Sequence, residues 1–202
     1  MLLTDQQWND IEDFFKNKNF MSSTIETEDI LTGDNIVKYG INFYSENGFY
    51  SYAQYLSQEL SYWPYNNTFT IGFSGEFSGC TLVKFFVNNN WYIGHMSIES
   101  GSIWGWDKWN EFIQKNNVQK YYMFKPYRDS IQEIMERIVW NNKDPYSCNC
   151  IGIIGNDNHC YSAIFDKKKN KIVYAVLWDN IEENQFTGRQ RDAYTVINHL
   201  DL

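Results

Sequence analysis

The segment 68–98 restricts the fold most, because it contains three strand-like runs separated by short turns. The runs are rich in aromatic and β-branched residues and occupy 68–74, 80–87 and 91–98. A small-residue turn precedes the second run, and asparagines at 88–90, which tolerate a positive φ, precede the third. The segment therefore predicts a β-meander, in which neighbouring strands are antiparallel.

Helical patterns lie on both sides of the meander. Thr4 and Gln7 form a capping-box pattern at the start of an amphipathic helix. Helical spacing of apolar residues predicts further helices at 51–60, at 107–116 and from Asp129 onward. Further strand patterns occupy 36–44, 121–124, 150–154, 159–165 and 172–178. We therefore expect an α+β fold, with a central antiparallel or mixed β-sheet or sandwich flanked by helices.

Length and charge exclude several classes of protein. The 202 residues contain no repeat or linker and fit a single domain spanning 1–202. A net charge of −8 opposes binding to nucleic acid or anionic lipid. No apolar run reaches the length of a membrane span, and the first residues lack the features of a Sec signal peptide. We expect a monomer with no nucleic-acid partner and no membrane span.

The cysteines do not form a recognisable disulfide framework. They stand at positions 80, 148, 150 and 160. Cys148 and Cys150 are too close for an easy mutual bridge, and a second ligand pair for a structural zinc site is missing. We expect reduced cysteines, with no metal and no organic cofactor.

Cys80 differs from the other cysteines because it directly follows the small residues Ser78 and Gly79. Glycine lets a ligand approach the backbone closely, and an N–H at such a turn can point at a developing oxyanion. A nucleophilic cysteine also needs a base, and His95 lies fifteen residues later in the adjoining predicted strand. Most cysteines in strands are inert core residues, so these residues alone leave both interpretations open.

The segment 78–81, of sequence Ser-Gly-Cys-Thr, followed by His95, resembles the signature of the bacterial toxin glutamine deamidases. These are the cytotoxic necrotising factor catalytic domain and Burkholderia lethal factor. Their shared motif is Leu-Ser-Gly-Cys followed by a histidine in a neighbouring strand. Phe77 stands here in place of the leucine.

Some members of that family carry a threonine six residues before the cysteine, and its hydroxyl orients the histidine. Ser74 occupies this position and keeps the hydroxyl while losing the methyl group. The resemblance covers 74–95, about a tenth of the chain.

The resemblance implies a catalytic domain in which Cys80 attacks the carboxamide of a protein glutamine, with His95 as base and then acid. Ser78 and Gly79 would form the oxyanion turn. The pair would lie at the protein surface and touch directly. The resemblance also implies a toxin or effector, delivered without a Sec signal, that acts in the cytoplasm of a host or target cell. Its substrate would be a protein such as a GTPase or a translation factor.

Two alternatives remain open. A papain-like thiol hydrolase would pair Cys80 with His159, with Asp179 following the next strand. A non-enzymatic immunity or adaptor protein would keep Cys80 buried and unreactive. Hairpin geometry also opposes the preferred pair, because a turn at 88–90 places His95 opposite Val83 or Lys84, leaving Cys80 about 10–13 Å further along.

Overall fold

The computed structural model describes residues 2–17, 24–26, 31–65, 70–98, 105–179, 181–187 and 193–197. Across these ranges the helices are α1 (Asp5–Asn17), α2 (Trp106–Asn116) and α3 (Asp129–Asn142). The strands are β1 (Thr24–Glu26), β2 (Ile36–Ser45), β3 (Gly48–Ala53), β4 (Leu60–Tyr65), β5 (Thr70–Gly75), β6 (Thr81–Val87), β7 (Asn90–Met96), β8 (Lys120–Phe124), β9 (Cys148–Ile154), β10 (Cys160–Asp166), β11 (Lys171–Trp178), β12 (Phe186–Thr187) and β13 (Tyr194–Val196).

The capping box at the start of α1 is formed as the sequence predicts. The backbone N–H of Thr4 donates to Gln7 Oε1 at 3.0 Å, and the N–H of Gln7 donates to Thr4 Oγ1 at 3.2 Å. Two backbone donors that the helix itself cannot satisfy are therefore bonded, and the helix begins at Asp5.

The thirteen strands found in the described residues form one mixed sheet. Twelve follow the order β12-β8-β6-β7-β4-β2-β3-β5-β9-β10-β11-β13, and β1 pairs with β2. The pairs β2–β4, β3–β5 and β8–β12 are parallel, and the others are antiparallel. The predicted α+β class is confirmed.

A two-residue turn sets the register between β6 and β7. Asn88 and Asn89 have φ values of 50° and 63°, so both lie in the left-handed region, as a type I′ turn requires. Val87 consequently pairs with Asn90, and Leu82 pairs with His95. The expected pairing of His95 with Val83 or Lys84 is wrong, because the turn has two residues rather than three.

The predicted helix at 51–60 is wrong. Residues 51–53 are the end of β3, and β4 begins at Leu60. Tyr52 and Leu60 are fully buried but lie on two separate strands. Their spacing from Tyr55 matches that of a helix only by coincidence. The helix predicted from Asp129 onward is α3, which begins at Asp129 with Arg128 as its N-cap.

Helices cover parts of the sheet and bury aromatic and aliphatic residues against it. Phe14 of α1 packs on Tyr52 and Phe73, and Trp109 of α2 packs edge-on against Phe85. Ile131 of α3 belongs to the cluster that also contains Phe77, Cys80, Leu82 and Ile93. Among the described residues, no helix combines the length and the apolar character needed to span a membrane.

Candidate active site

A hydrogen bond joins Ser74 of β5 to His95 of β7. Ser74 Oγ lies 2.7 Å from His95 Nδ1 and donates to the carbonyl oxygen of Ala53 at 2.6 Å. A hydroxyl has one proton and a carbonyl oxygen can only accept, so the Nδ1–H of His95 must donate to Ser74. The neutral imidazole then carries its lone pair on Nε2, as a general base requires.

Two aromatic rings fix the plane of the His95 imidazole. The Phe77 ring is stacked on it, with 4.1 Å between ring centroids and an angle of 1° between the planes. The Tyr55 ring is tilted by 54°, with 5.0 Å between centroids. The packing and the bond to Ser74 together determine where Nε2 points.

Cys80 and His95 lie on the same face of the sheet. Since Thr81 pairs with Met96, the preceding residue Cys80 lies opposite Ser97, two residues from His95. Cross-strand partners share a face and side chains alternate along a strand, so Cys80, Ser97 and His95 are on one side. Diagonal neighbours of this kind have Cα atoms about 7–8 Å apart. His95 Nε2 makes no hydrogen bond to the Cys80 sulfur, so the expected direct contact of the pair stays a prediction.

The thiol is held in a buried environment that contains hydrogen-bond donors. Burial raises the pKa of the Cys80 thiol. Hydrogen bonds from the Ile98 backbone, the Ser97 side chain and the Ser78 backbone oppose this effect, as does the positive charge of Lys125. The resting cysteine is therefore a protonated thiol surrounded by groups that would stabilise its anion.

The expectation that the pair lies at the protein surface is wrong. Cys80 is 1% exposed and His95 is 0% exposed. The Phe77 and Tyr55 rings pack against the imidazole, and the thiol turns into the apolar cluster of which Phe77 is part. Ser78, two residues before Cys80, is exposed, so the surface is close along the chain.

The turn before Cys80 is bound to β9. The backbone N–H of Glu76 donates to Asn149 Oδ1 at 2.5 Å, and the N–H of Phe77 donates to the Cys150 carbonyl at 3.3 Å. The left-handed residue of the turn is Glu76, with φ 68°. At Gly79 an added Cβ would meet only the Ile98 carbonyl oxygen within 4 Å, at 3.7 Å, so the side-chain face of Gly79 is open.

The structure does not bring His159 to Cys80. His159 is half exposed and its Nδ1 lies 2.8 Å from Asp157 Oδ2. The adjacent Asn158 accepts a hydrogen bond from Lys84 at 2.8 Å. Lys84 is four residues from Cys80 along β6, about 13 Å of strand. The remaining histidine, His199, lies outside the described residues.

The other three cysteines are free and buried, as Cys80 is. Burial raises the pKa of Cys148, Cys150 and Cys160. Across the ranges that the structure describes, no group of three or more histidine, cysteine, aspartate or glutamate residues could hold a metal ion.

Sequence reasoning missed three contributors to the site, which are Ser97, Tyr55 and the Ala53 carbonyl. Ser97 could have been predicted, because it lies two residues after His95 on the same predicted strand, and such residues share a face. Tyr55 was assigned to a helix, and a backbone carbonyl leaves no signal in the sequence.

No family model, no curated protein and no solved structure matches this chain.

Proposed function

We propose that this chain is a cysteine-dependent protein-glutamine deamidase of the toxin or effector type. The observation that carries the proposal is the hydrogen bond from His95 Nδ1 to Ser74, which leaves Nε2 as a base on the face where Cys80 lies. The motif resemblance assigns the same three side chains to nucleophile, base and orienting group. The mechanism proposed below gives each side chain the role that the resemblance assigns to it.

The thiol of Cys80 transfers its proton to His95 Nε2 while its sulfur attacks the carboxamide carbon of a substrate glutamine. The tetrahedral intermediate collapses when the imidazolium gives that proton to the departing nitrogen, and ammonia leaves behind a thioester. His95 then takes a proton from water, whose oxygen attacks the thioester carbon, and returns it to sulfur. The products are glutamate and the original thiol, and an amine in place of water would give transglutamination.

The raised pKa of the thiol fits a base-assisted attack rather than a preformed thiolate. The backbone N–H of Cys80 is the expected donor to the oxyanion, and one such donor contributes roughly 3–4 kcal/mol in comparable enzymes. Because Cys80 is 1% exposed, the side chains that shield its thiol must move before a substrate glutamine can reach the sulfur. Ser78 is exposed and Gly79 is half-buried, so the chain reaches the surface next to Cys80.

The proposal includes a protein substrate, such as a GTPase or a translation factor, and action in the cytoplasm of a target cell. Replacing a glutamine by glutamate adds one negative charge to the substrate, which is enough to disable a catalytic glutamine. No part of the described site selects one protein over another.

The direct test compares peptides from target-cell lysate treated with wild type and with Cys80→Ser. We expect wild type alone to produce a peptide whose mass has changed by the difference between an amide and an acid, at a glutamine. His95→Ala should abolish this change and His159→Ala should preserve it, because only His95 shares a face with Cys80. Loss of activity in His159→Ala with retention in His95→Ala would refute the assignment.

Burial of the pair favours one second candidate, a non-enzymatic binding protein. With Cys80 1% exposed and His95 0% exposed, the two side chains would be core residues, and the net charge of −8 would suit a basic partner. Rapid, selective alkylation of Cys80 near neutral pH supports the enzyme. Protection of Cys80 in the native protein, together with no deamidated glutamine, supports the binding protein.

A further inference from the structure

We infer that Ser97 is a further catalytic residue, whose hydroxyl donates a hydrogen bond to the sulfur of Cys80 and stabilises the thiolate as it forms. This inference rests on the proposed role of Cys80 as nucleophile. It adds to Cys80, His95 and Ser74 a side chain that neither the motif nor the resemblance contains.

The register of the hairpin brings Ser97 to the thiol. The antiparallel ladder ends at the pair Thr81–Met96, but a Cβ at Gly79 would lie 3.7 Å from the Ile98 carbonyl oxygen, so the two chains remain side by side and bring Cys80 next to Ser97. Directly opposed residues have Cβ atoms about 4.5–5.5 Å apart, which is the range in which a hydroxyl can reach a sulfur. Ser97 is 0% exposed, so no bulk water separates the two groups.

The direction of the hydrogen bond follows from the charge that develops on sulfur and is compatible with the second contact of Ser97. Its Oγ accepts from the backbone N–H of Gln58 at 3.1 Å. That bond uses one of the two lone pairs of the hydroxyl, and the hydroxyl proton can still go to a group that only accepts, as a thiolate does. The sulfur of Cys80 is such an acceptor, and the Ser97 side chain lowers the pKa of this thiol against the effect of burial.

The backbone around Ser97 keeps the hydroxyl in place. The N–H of Ser97 donates to the Glu59 carbonyl at 3.0 Å, so the residue is tied to the loop before β4 through both its backbone and its side chain. A donor held in this way needs no reorientation when negative charge develops on sulfur. The Ile98 backbone adds a second donor that no side-chain substitution removes.

The test measures the ionisation of each cysteine directly, by following the Cβ resonances of isotope-labelled cysteine against pH. This readout requires neither substrate nor access of a reagent to the thiol. In Ser97→Ala we expect the midpoint of Cys80 to rise by about one pH unit, since a hydrogen bond to the charged form is lost. Cys148, Cys150 and Cys160 should titrate as in the wild type.

Ser147→Ala is the matched control, because Ser147 is another buried serine whose Oγ lies 3.9 Å from a cysteine sulfur, that of Cys148. It should leave the midpoint of Cys80 unchanged. Ser97→Thr keeps the hydroxyl and should restore the wild-type midpoint. If Ser97→Ala does not fold, the nearly isosteric Ser97→Cys, a weaker donor, should raise the midpoint by a smaller amount.

An unchanged Cys80 midpoint in the folded Ser97→Ala or Ser97→Cys variant would overturn the inference. If the Cys80 midpoint rises in Ser97→Ala but the wild-type protein deamidates no glutamine, the hydrogen bond is supported. The catalytic role of Ser97 and the proposed function are then both refuted. A raised midpoint with a matching alkaline shift in the pH profile of deamidation supports both.

Discussion

Three residues from different parts of the chain hold the imidazole of His95. Ser74 accepts the Nδ1 proton, Phe77 stacks on one ring plane, and Tyr55 packs against the ring from the loop between β3 and β4. An imidazole held by packing and by one directional hydrogen bond is ordered in advance, as the proposed role of His95 as a base requires. The same packing buries His95, and burial of Cys80 raises the pKa of its thiol, which therefore rests in the protonated form.

Lys84 lies on the same face of the sheet as Cys80 and His95, and its amine tests how strongly burial disfavours a charged group. Its Nζ lies 4.3 Å from the Tyr65 ring centroid and 5.0 Å from that of Trp91, and burial lowers its pKa from 10.5 to about 8. Between these pH values the unfolded chain binds a proton that the folded protein does not, so stability rises with pH. Relative to Lys84→Met, we expect the unfolding free energy of wild type to increase by on the order of 3 kcal/mol across this window.

Urea unfolding of both proteins at a series of pH values measures this difference, and the subtraction removes the ionisation of tyrosines and cysteines. Lys167→Met, at an exposed position, controls for the loss of a positive charge. Parallel stability curves for wild type and Lys84→Met would show that burial does not penalise the charged amine.

At the residue scale, the resemblance predicted a contact between Ser74 and His95, which the structure contains, but not the surroundings of that contact. The relative positions of Cys80 and His95 follow from a hairpin, which is local, whereas the place of Ser74 beside His95 came only from the resemblance. Burial of the pair depends on Tyr55 and on the turn at Phe77, which come together only when distant strands pair. Local sequence carries no record of such contacts, and for that reason the predicted surface location was wrong.

At the scale of elements, the turn between β6 and β7 decides the geometry of the site. Two left-handed asparagines match the twist of the strands and give a two-residue loop. If Asn90 also belonged to the loop, the register would slip by one residue, and His95 would pair with Val83 on the face opposite to Cys80. The side-chain arrangement therefore depends on the backbone preference of Asn88 and Asn89.

Asn89→Val should destabilise the protein by about 1–2 kcal/mol, because a β-branched residue at φ 63° is strained. Asn90→Val is the matched control, since Asn90 is the exposed first residue of β7 and a strand accommodates valine. Chemical denaturation monitored by tryptophan fluorescence compares the two. Equal stabilities, or a larger loss in Asn90→Val, would contradict the role of the turn.

Elements with strong local signals were predicted well. The capping box located the start of α1, and the Asn-rich turn located the hairpin, because each depends on residues a few positions apart. The segment 51–60 misled because helical spacing arose by coincidence across the end of β3 and the start of β4. All of Ser51, Tyr52 and Ala53 are buried, so this strand lacks the alternation that would have marked it.

At the scale of the whole molecule, the site depends on the curl of the sheet. Strands β4, β2 and β3 lie between β7 and β5 in the hydrogen-bonded order, yet Ser74 of β5 reaches His95 of β7. The two strands face each other across the inside of the curl rather than pairing edge to edge. Long-range pairing of this kind could not be read from the sequence, which indicated only a sheet with helices.

Gly72 permits this close approach of β5 and β7. A Cβ at Gly72 would lie 2.8 Å from Ile93 Cδ1 and 2.9 Å from Tyr65 Cε2. Tyr65 cannot yield easily, because its hydroxyl donates to the Gly155 carbonyl at 3.3 Å and its ring covers the Lys84 amine. We expect Gly72→Ala to lower the unfolding free energy by about 1–3 kcal/mol, as overpacking does in other cores.

The same substitution should loosen the site, because Ile93 and His95 share one face of β7 and the added methyl group pushes that face away from Ser74. The Nδ1 proton resonance of His95 reports the hydrogen bond directly, and we expect it to weaken or exchange faster in Gly72→Ala. Gly105→Ala is the control, since nothing lies within 4 Å of a Cβ at that position. Reduced stability with an unchanged Nδ1 resonance would mean that the His95–Ser74 contact does not depend on how tightly the sheet curls.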